Sequence, residues 1–309
     1  MRIQFLLKNT GMYERLGIMT LSSVLKKKGH DVRLNLTEEA GEKQIIKRVK
    51  DYKPDVLAYS VMTGEHIYHI ELNQMVKSHY NNAFSVFGGP HPTYCPEMIE
   101  KDGVDAICRG EGEIYFPELV EKLEQGQDFY DIKNFWFKKK DGSIIKNKMG
   151  SLIETLDNDP PPDRKLMYDA DKALKARSTK MFMATRGCPY QCTYCFNHAY
   201  NALTKGKGEM IRSRSVDSML NEIQEVKDNY FMDRVHIEDD IFLLKPKGWL
   251  EEFAEKFPKK IGLPLFVNVR PETINEKTGF LLNKMNCTHV CMGIECGNNE
   301  VARKVLKRN

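Results

Sequence analysis

The chain has 309 residues, 41% of them hydrophobic, with 47 Lys and Arg against 43 Asp and Glu for a net charge of +4. That is enough chain for two ordinary domains with true cores, and the near balance of charge, with no basic block interleaved with aromatics, argues against a nucleic-acid partner. No apolar run approaches the ~20 residues of a membrane span, the apolar start is too short for a signal peptide, and eight cysteines in this length are no secreted disulfide framework, so a reducing, cytoplasmic setting is expected.

Residues 3–7 form a short apolar run that predicts a strand. Ile18, Leu21, Val24 and Leu25 then recur at helical spacing, and Gly29 stops the helix. The alternation continues with strand 31–36, helix 42–52 before Pro54, strand 55–60, helix 65–80, strand 83–87, short helix 96–101, strand 105–108 and helix 115–123. Over residues 1–130 this reads as a doubly wound parallel sheet. Ligands of such sheets bind beyond the carboxyl ends of the strands, where loops 8–13, 60–64, 88–93 and 110–113 lie. Their glycines let backbone N–H groups approach a ligand; taken singly, each is equally an ordinary turn. His66 and His69 are expected on a helix surface, and His91 lies in one of the four loops. No Gly-x-Gly-x-x-Gly fingerprint supports a nucleotide such as flavin.

Residues 132–137 and 143–147 flank an Asp141-Gly142 turn and read as a hairpin. Asp159-Pro-Pro-Pro-Asp163 is stiff and cannot be helix or central strand. Residues 131–178 are therefore expected to be a hairpin and Pro-rich spacer, with a second domain over 179–309. There, strand 181–184 is followed by a polar, flexible stretch at 200–208. Ser215 is a plausible cap for a helix running to about residue 229. Strand 234–238, helix 249–257, strand 265–269, helix 275–285, strand 288–294 and the start of a helix at 299–307 follow. The strands end on Glu238-Asp239-Asp240, Arg270 and Glu295, the position of active sites in βα barrels. Plainer readings are a capping cluster for the acidic trio and a structural ion pair for Arg270. Cys287, Cys291 and Cys296 form a looser trio, expected to be buried structural thiols.

The first strand of this half feeds into Thr185-Arg-Gly-Cys-Pro-Tyr-Gln-Cys-Thr-Tyr-Cys-Phe196, in which Cys188, Cys192 and Cys195 are spaced C-x3-C-x2-C. Three thiolates on one tight loop are a metal-site arrangement. Iron–sulfur clusters usually take four cysteines, so three leave one iron open. A zinc ion prefers a closed tetrahedron, which His198 would complete.

The cysteine loop, with Tyr194 before its last thiol, resembles the signature of radical S-adenosylmethionine enzymes. The resemblance implies a 4Fe–4S cluster on Cys188, Cys192 and Cys195, with S-adenosylmethionine on the open iron. One electron then cleaves the sulfonium to give a 5′-deoxyadenosyl radical. It also implies that Tyr194, Glu238, Asp239, Asp240 and Glu295 serve S-adenosylmethionine, and Arg270 is a candidate partner for the carboxylate of that cofactor or for the substrate. Leu16-Gly17, Lys26-Lys-Lys-Gly-His30, Gly88-Gly-Pro-His-Pro-Thr93 and Val104-Asp-Ala-Ile-Cys-Arg-Gly-Glu-Gly-Glu113 resemble the cobalamin-binding domain that precedes many such enzymes. Thr10, Ser60, Thr63, Gly88, Gly89, Pro90, His91, Thr93, Gly110 and Glu111 are then candidate cobalamin contacts. Loop 8–13 lacks the His of the usual Asp-x-His-x-x-Gly pattern, so a cobalamin without a histidine lower ligand is expected.

Cys195-Phe-Asn-His198, Gly206-Lys-Gly208, Arg212-Ser-Arg-Ser215 and Gly293-Ile-Glu-Cys-Gly297 are further similar to cobalamin-dependent radical methyltransferases and a porphyrin ring cyclase. The expected fold is a Rossmann-like doubly wound domain followed by a partial (β/α) barrel of about four units, where the family has six. The resemblance implies methyl transfer to an unactivated carbon or phosphorus of a small-molecule or natural-product substrate, fed by a low-potential ferredoxin or flavodoxin. Cyclase or rearrangement chemistry, a non-catalytic cobalamin binder and a zinc-stabilised protein are the alternatives.

Overall fold

Short apolar runs alternating with amphipathic ones give two α/β units in the computed structural model, which describes residues 1–308. The first comprises Met1–Ser151 with Asp159–Leu174, and the second Leu152–Asn158 with Lys175–Asn309.

In the first unit the order is β1 (Arg2–Leu7), α1 (Leu16–Lys27), β2 (Asp31–Leu36), α2 (Glu42–Tyr52), β3 (Val56–Ser60), α3 (His66–His79), β4 (Phe84–Gly88), α4 (Pro90–Tyr94), β5 (Ala106–Cys108) and α5 (Tyr115–Glu124). The sheet order is β2-β1-β3-β4-β5, all parallel. Strands buried on both faces must be continuously apolar, and Val56, Leu57, Ala58 and Tyr59 of β3 are all buried. The chain leaves β1 toward β2 on one side and resumes at β3 on the other. The loops after β1 and β3 thus flank the switch point, where such sheets hold ligands.

Three features depart from the sequence reading. The hairpin assigned to the spacer, β6 (Phe135–Lys138) and β7 (Ile144–Lys146), extends this sheet antiparallel through Ala106↔Phe137 and Trp136↔Lys146. Alternation buries Phe135 and Phe137 fully and stacks them at 5.4 Å. Two helices also follow the prolines, α6 (Arg164–Ala170) and α7 (Lys172–Ala176). Asp163 caps α6 by accepting from Leu166 N at 3.1 Å, and its other oxygen accepts from Ser22 Oγ (2.7 Å) and Lys26 Nζ (2.6 Å). This carboxylate fastens the segment to α1. Finally, His69 is buried rather than on the helix surface, with Nδ1 2.9 Å from the Glu65 carbonyl.

The second unit runs β8 (Thr179–Phe182), β9 (Thr185–Arg186), α8 (Phe196–Leu203), β10 (Arg212–Ser213), α9 (Val216–Asn229), β11 (Arg234–Ile237), α10 (Trp249–Lys260), β12 (Leu265–Val269), α11 (Glu276–Lys284), β13 (Cys287–Met292) and α12 (Asn299–Lys304). Its main sheet is β8-β11-β12-β13, parallel and in chain order, as in part of a βα barrel. Phe182, Val235, Phe242, Phe253, Phe257 and Val267 build its core. Helix α8 reaches into the stretch expected to be flexible, 200–208, and makes its first four residues helical. The outer strand β13 carries Cys287 and Cys291, with Cys296 beyond its end; Cys291 is exposed, Cys296 is half-buried and Cys287 is half-buried against the core, so the trio is not the buried set expected.

Asp163→Ala removes both a cap and two side-chain bonds. It should cost the first unit about 1–2 kcal/mol, read as a lower urea midpoint with far-UV helicity otherwise retained.

Candidate functional site

The cysteine loop starts at the carboxyl end of β8 and is held from below by a buried ion pair. Asp239, just past β11, accepts from Ala184 N (2.7 Å) and Thr185 N (2.8 Å). Its second oxygen bonds Lys245 Nζ, which also reaches Thr185 Oγ1. Both side chains are almost completely excluded from solvent. Burial pushes the Lys245 ammonium down, and Asp239 opposes that shift. Gly187 has φ +96°, and a Cβ there would lie 1.9 Å from the Met210 carbonyl oxygen, so the turn admits only glycine.

Beyond that turn Cys188 and Cys192 are buried and Cys195 is half-buried. Cys195 N donates to Cys192 O at 3.0 Å, and Cys195 is the N-cap of α8, its Sγ accepting from Asn197 N at 3.5 Å. A helix N-terminus favours a thiolate. Helix α8 also clasps the loop, Asn201 Nδ2 donating to Cys188 O (2.8 Å) and His198 Nδ1 lying 2.7 Å from Cys195 O. Burial pushes the Cys188 thiol up, against a backbone bond from Tyr190.

Arg270, at the end of β12, is buried beneath the loop. Its Nη1 donates to Cys192 Sγ at 3.0 Å, its guanidinium lies 3.8 Å from the Tyr190 ring centroid, and Glu272 accepts from Nε and Nη2 at 3.2 and 3.1 Å. Burial alone lowers its pKa; the bonds to Cys192 and Glu272 outweigh that and hold it charged.

The other expected residues of this unit are spread around the same strand ends. Glu238 is half-buried, 3.1 Å from His236 Nδ1. Burial pushes that imidazole, stacked on Phe266 at 3.9 Å, down to about 4, so it is neutral at pH 7 and the contact is not an ion pair. Asp240 has an exposed face. Desolvation on its inner side nevertheless raises its carboxyl, Asn197 opposing. Tyr194 is half exposed and its hydroxyl accepts from Arg308 Nη1 at 2.9 Å. Glu295 is exposed at φ +65°, beyond the outer strand. Lys245, Asn197, Tyr190 and Glu272 were not foreseen, because each acts through a neighbour rather than through a motif.

The donor set fits an iron–sulfur cluster. The three thiols share one short loop with a helix N-terminus and a guanidinium to stabilise thiolates. Among the described residues no three His, Cys, Asp or Glu side chains converge on a single ion.

In the first unit the loops at the strand ends are stitched together. Val61 N donates to Gly88 O (2.8 Å) and His91 N to Val61 O (2.9 Å). Gly89 has φ +96°, and a Cβ would lie 2.9 Å from Val61 N. Thr93 Oγ1 donates to Gly89 O (2.8 Å) and accepts from Gly110 N (3.0 Å), joining the loops after β4 and β5. His91 Nδ1 lies 3.3 Å from Thr63 Oγ1, and its ring stacks at 4.1 Å on half-buried His66, the first residue of α3. The Glu111 carbonyl accepts from Asn134 Nδ2 at 2.9 Å. Thr10 donates to Asp171 at 2.6 Å and lines a cleft of about 1100 Å³ along β2, which the other candidate positions do not reach. Met12, Tyr13, Met62 and Ile67 are exposed on the same edge. An apolar rim with hydroxyls and glycines between its members suits a broad, flat ligand with polar side groups, as a corrin is.

Residues 6–120 match the B12 binding domain family, and residues 182–309 match the Radical SAM superfamily. The chain is 28% identical over 300 residues to an uncharacterized methyltransferase of Pyrococcus horikoshii, covering 94% of this chain and 63% of that protein. It is 22% identical over 351 residues to the cytidylyl-2-hydroxyethylphosphonate methyltransferase of Streptomyces wedmorensis, covering 95% and 63%. The chain thus spans less than two thirds of the length of these relatives. Its fold is similar to the cobalamin-dependent S-adenosylmethionine radical enzyme OxsB with aqua-cobalamin and S-adenosylmethionine bound (TM-score 0.78, 20% identity, 100% of this chain and 45% of that one). It is also similar to the radical S-adenosylmethionine methyltransferase TsrM from Kitasatospora setae (TM-score 0.77, 17% identity, 97% and 60%).

Asp239→Ala leaves Lys245 as an uncompensated buried charge and should cost about 3–5 kcal/mol, visible as a lower unfolding midpoint of the second unit. His236 supplies a pH dependence of known sign. Its pKa falls from 6.5 unfolded to about 4 folded, so the unfolded state binds the proton first. Its contribution to stability is complete above about 6.5, declines as pH falls to about 4, and is constant below. Urea midpoints across that window should lose this slope in His236→Phe, which keeps an aromatic ring against Phe266.

Proposed function

Because the chain belongs to the family that joins a B12-binding domain to a radical S-adenosylmethionine domain, we propose that it takes part in methyl transfer to an unactivated carbon or phosphorus centre of a small-molecule or natural product. The observation that carries the reading is the loop of Cys188, Cys192 and Cys195 at the end of the first of four consecutive βα strands, with Arg270 against its middle thiol. When bound, the cluster supplies the electron for reductive cleavage of S-adenosylmethionine and cobalamin supplies the methyl group.

The protein's own part is to hold and orient. Cys188, Cys192 and Cys195 would hold the cluster, and the Asp239–Lys245 pair fixes where their loop begins. Glu238, Asp240 and Glu295 present carboxylates around the same strand ends for the amino and hydroxyl groups of S-adenosylmethionine. Asp239 is assigned to support of the loop instead, since both its oxygens are engaged by backbone amides and Lys245. In the first unit Ser60, Thr63, Gly88, Gly89, Pro90, His91, Thr93, Gly110 and Glu111 would meet cobalamin, with Thr10 at the border of the β2 cleft. No helix among the described residues is long and apolar enough to cross a membrane. A cytoplasmic setting and a low-potential ferredoxin or flavodoxin as donor complete the reading.

The test is anaerobic reconstitution followed by iron, sulfide, zinc and cobalt analysis, then product assay with S-adenosylmethionine. About four irons and four sulfides per chain, bound cobalamin and a methylated product are expected. Consumption of S-adenosylmethionine without methylated product would favour the cyclase or rearrangement chemistry of other relatives, such as the magnesium-protoporphyrin cyclase of Rubrivivax gelatinosus. His198→Ala should leave the cluster intact; collapse of metal binding in that variant would instead establish zinc.

A further inference from the structure

The geometry points to Arg270 as a tuning residue for the cluster: its hydrogen bond to the Cys192 sulfur, and its charge, set the reduction potential. This rests on the proposal that the cysteine loop holds a 4Fe–4S cluster, and it gives Arg270 a different task from binding the carboxylate of S-adenosylmethionine.

Three contacts fix the guanidinium. Nη1 donates to Cys192 Sγ at 3.0 Å. The plane is packed against the Tyr190 ring, 3.8 Å from its centroid, and Tyr190 lies in the loop itself, between Cys188 and Cys192. Nε and Nη2 are taken by Glu272. Each of the three nitrogens thus makes one bond, and the residue is only 6% exposed. The buried guanidinium is held by a carboxylate, a ring and a thiol of its own chain. It is placed to act on the sulfur.

The sign follows from charge. One electron from a low-potential donor adds one negative charge to the cluster and its thiolates. A donor hydrogen bond to a ligating sulfur and a nearby positive charge stabilise the more negative, reduced form, and such bonds are among the levers that set cluster potentials. In a buried site the interaction is weakly screened. Glu272 works against it, since its carboxylate neutralises part of the guanidinium charge. The two residues therefore have opposite effects: Arg270 raises the potential and Glu272 lowers it.

The experiment is a mediated dithionite titration of reconstituted full chains, without S-adenosylmethionine, followed by electron paramagnetic resonance. Relative to wild type, Arg270→Gln should lower the midpoint by at least a tenfold change in the one-electron equilibrium constant, about 59 mV. Arg270→Lys should fall between the two, because it keeps the charge and loses the fork. Glu272→Gln should raise the midpoint. A role confined to supporting the loop would move the variants in one direction or only reduce their iron content. Unchanged midpoints in Arg270→Gln and Glu272→Gln at full iron and sulfide content overturn the inference. If Arg270→Gln fails to assemble a cluster, Glu272→Gln decides alone, and a midpoint that does not rise overturns it. A wild-type chain that takes up no cluster overturns the underlying reading, and that result is told apart by metal analysis before any titration.

Discussion

The second unit depends on the buried contact between Asp239 and Lys245. Two backbone N–H groups at the end of β8 have left the ladder, and a buried donor without an acceptor is costly. Asp239 satisfies both. A carboxylate at that depth needs a counter-charge, and Lys245 supplies it, braced against Phe242 and Trp249 with its ammonium 5.2 and 5.0 Å from their rings. One ion pair thereby joins β8, β11 and the α10 layer at the point where the cysteine loop begins. The loop can then carry reactive thiols without supplying its own foundation.

The first unit solves a related problem with neutral groups. Its candidate edge is made of short loops whose amides would be exposed or unpaired if each stood alone. Instead, the loop after β3 bonds the loop after β4, and Thr93 joins that loop to the one after β5. Gly89 permits this because its positive φ and missing Cβ leave room for Val61. The result is a continuous rim at the switch point, with exposed Met12, Tyr13 and Met62 around it.

What the sequence made legible follows from how local each signal is. Strand and helix order came through because apolar periodicity is written in consecutive residues, and β8, β11, β12 and β13 lie within a few residues of their expected places. The cysteine loop was legible because three thiols crowded into eight residues are seldom needed for anything but a metal centre. His69 was misplaced because it falls on the buried side of α3, which depends on what packs there and not on its own helix. The helices after the prolines were missed since α6 is held by contacts from Asp163 to α1, more than a hundred residues earlier. Lys245 and Glu272 are ordinary charged residues in sequence, and only the fold brings them against Asp239 and Arg270.

The position of Cys195 has a consequence for how the site forms. It is at once the last thiol of the loop and the first residue of the turn that starts α8, while Asn201 and His198 from that helix reach back to the carbonyls of Cys188 and Cys195. Residues 188–201 therefore close on themselves as a ring of hydrogen bonds. Much of the chain ordering that a cofactor would otherwise have to impose is already complete, and the entropy lost on binding falls accordingly. Such a segment behaves as a preorganised cassette: a substitution at Asn201, which touches no thiol, would weaken the site by letting the loop wander.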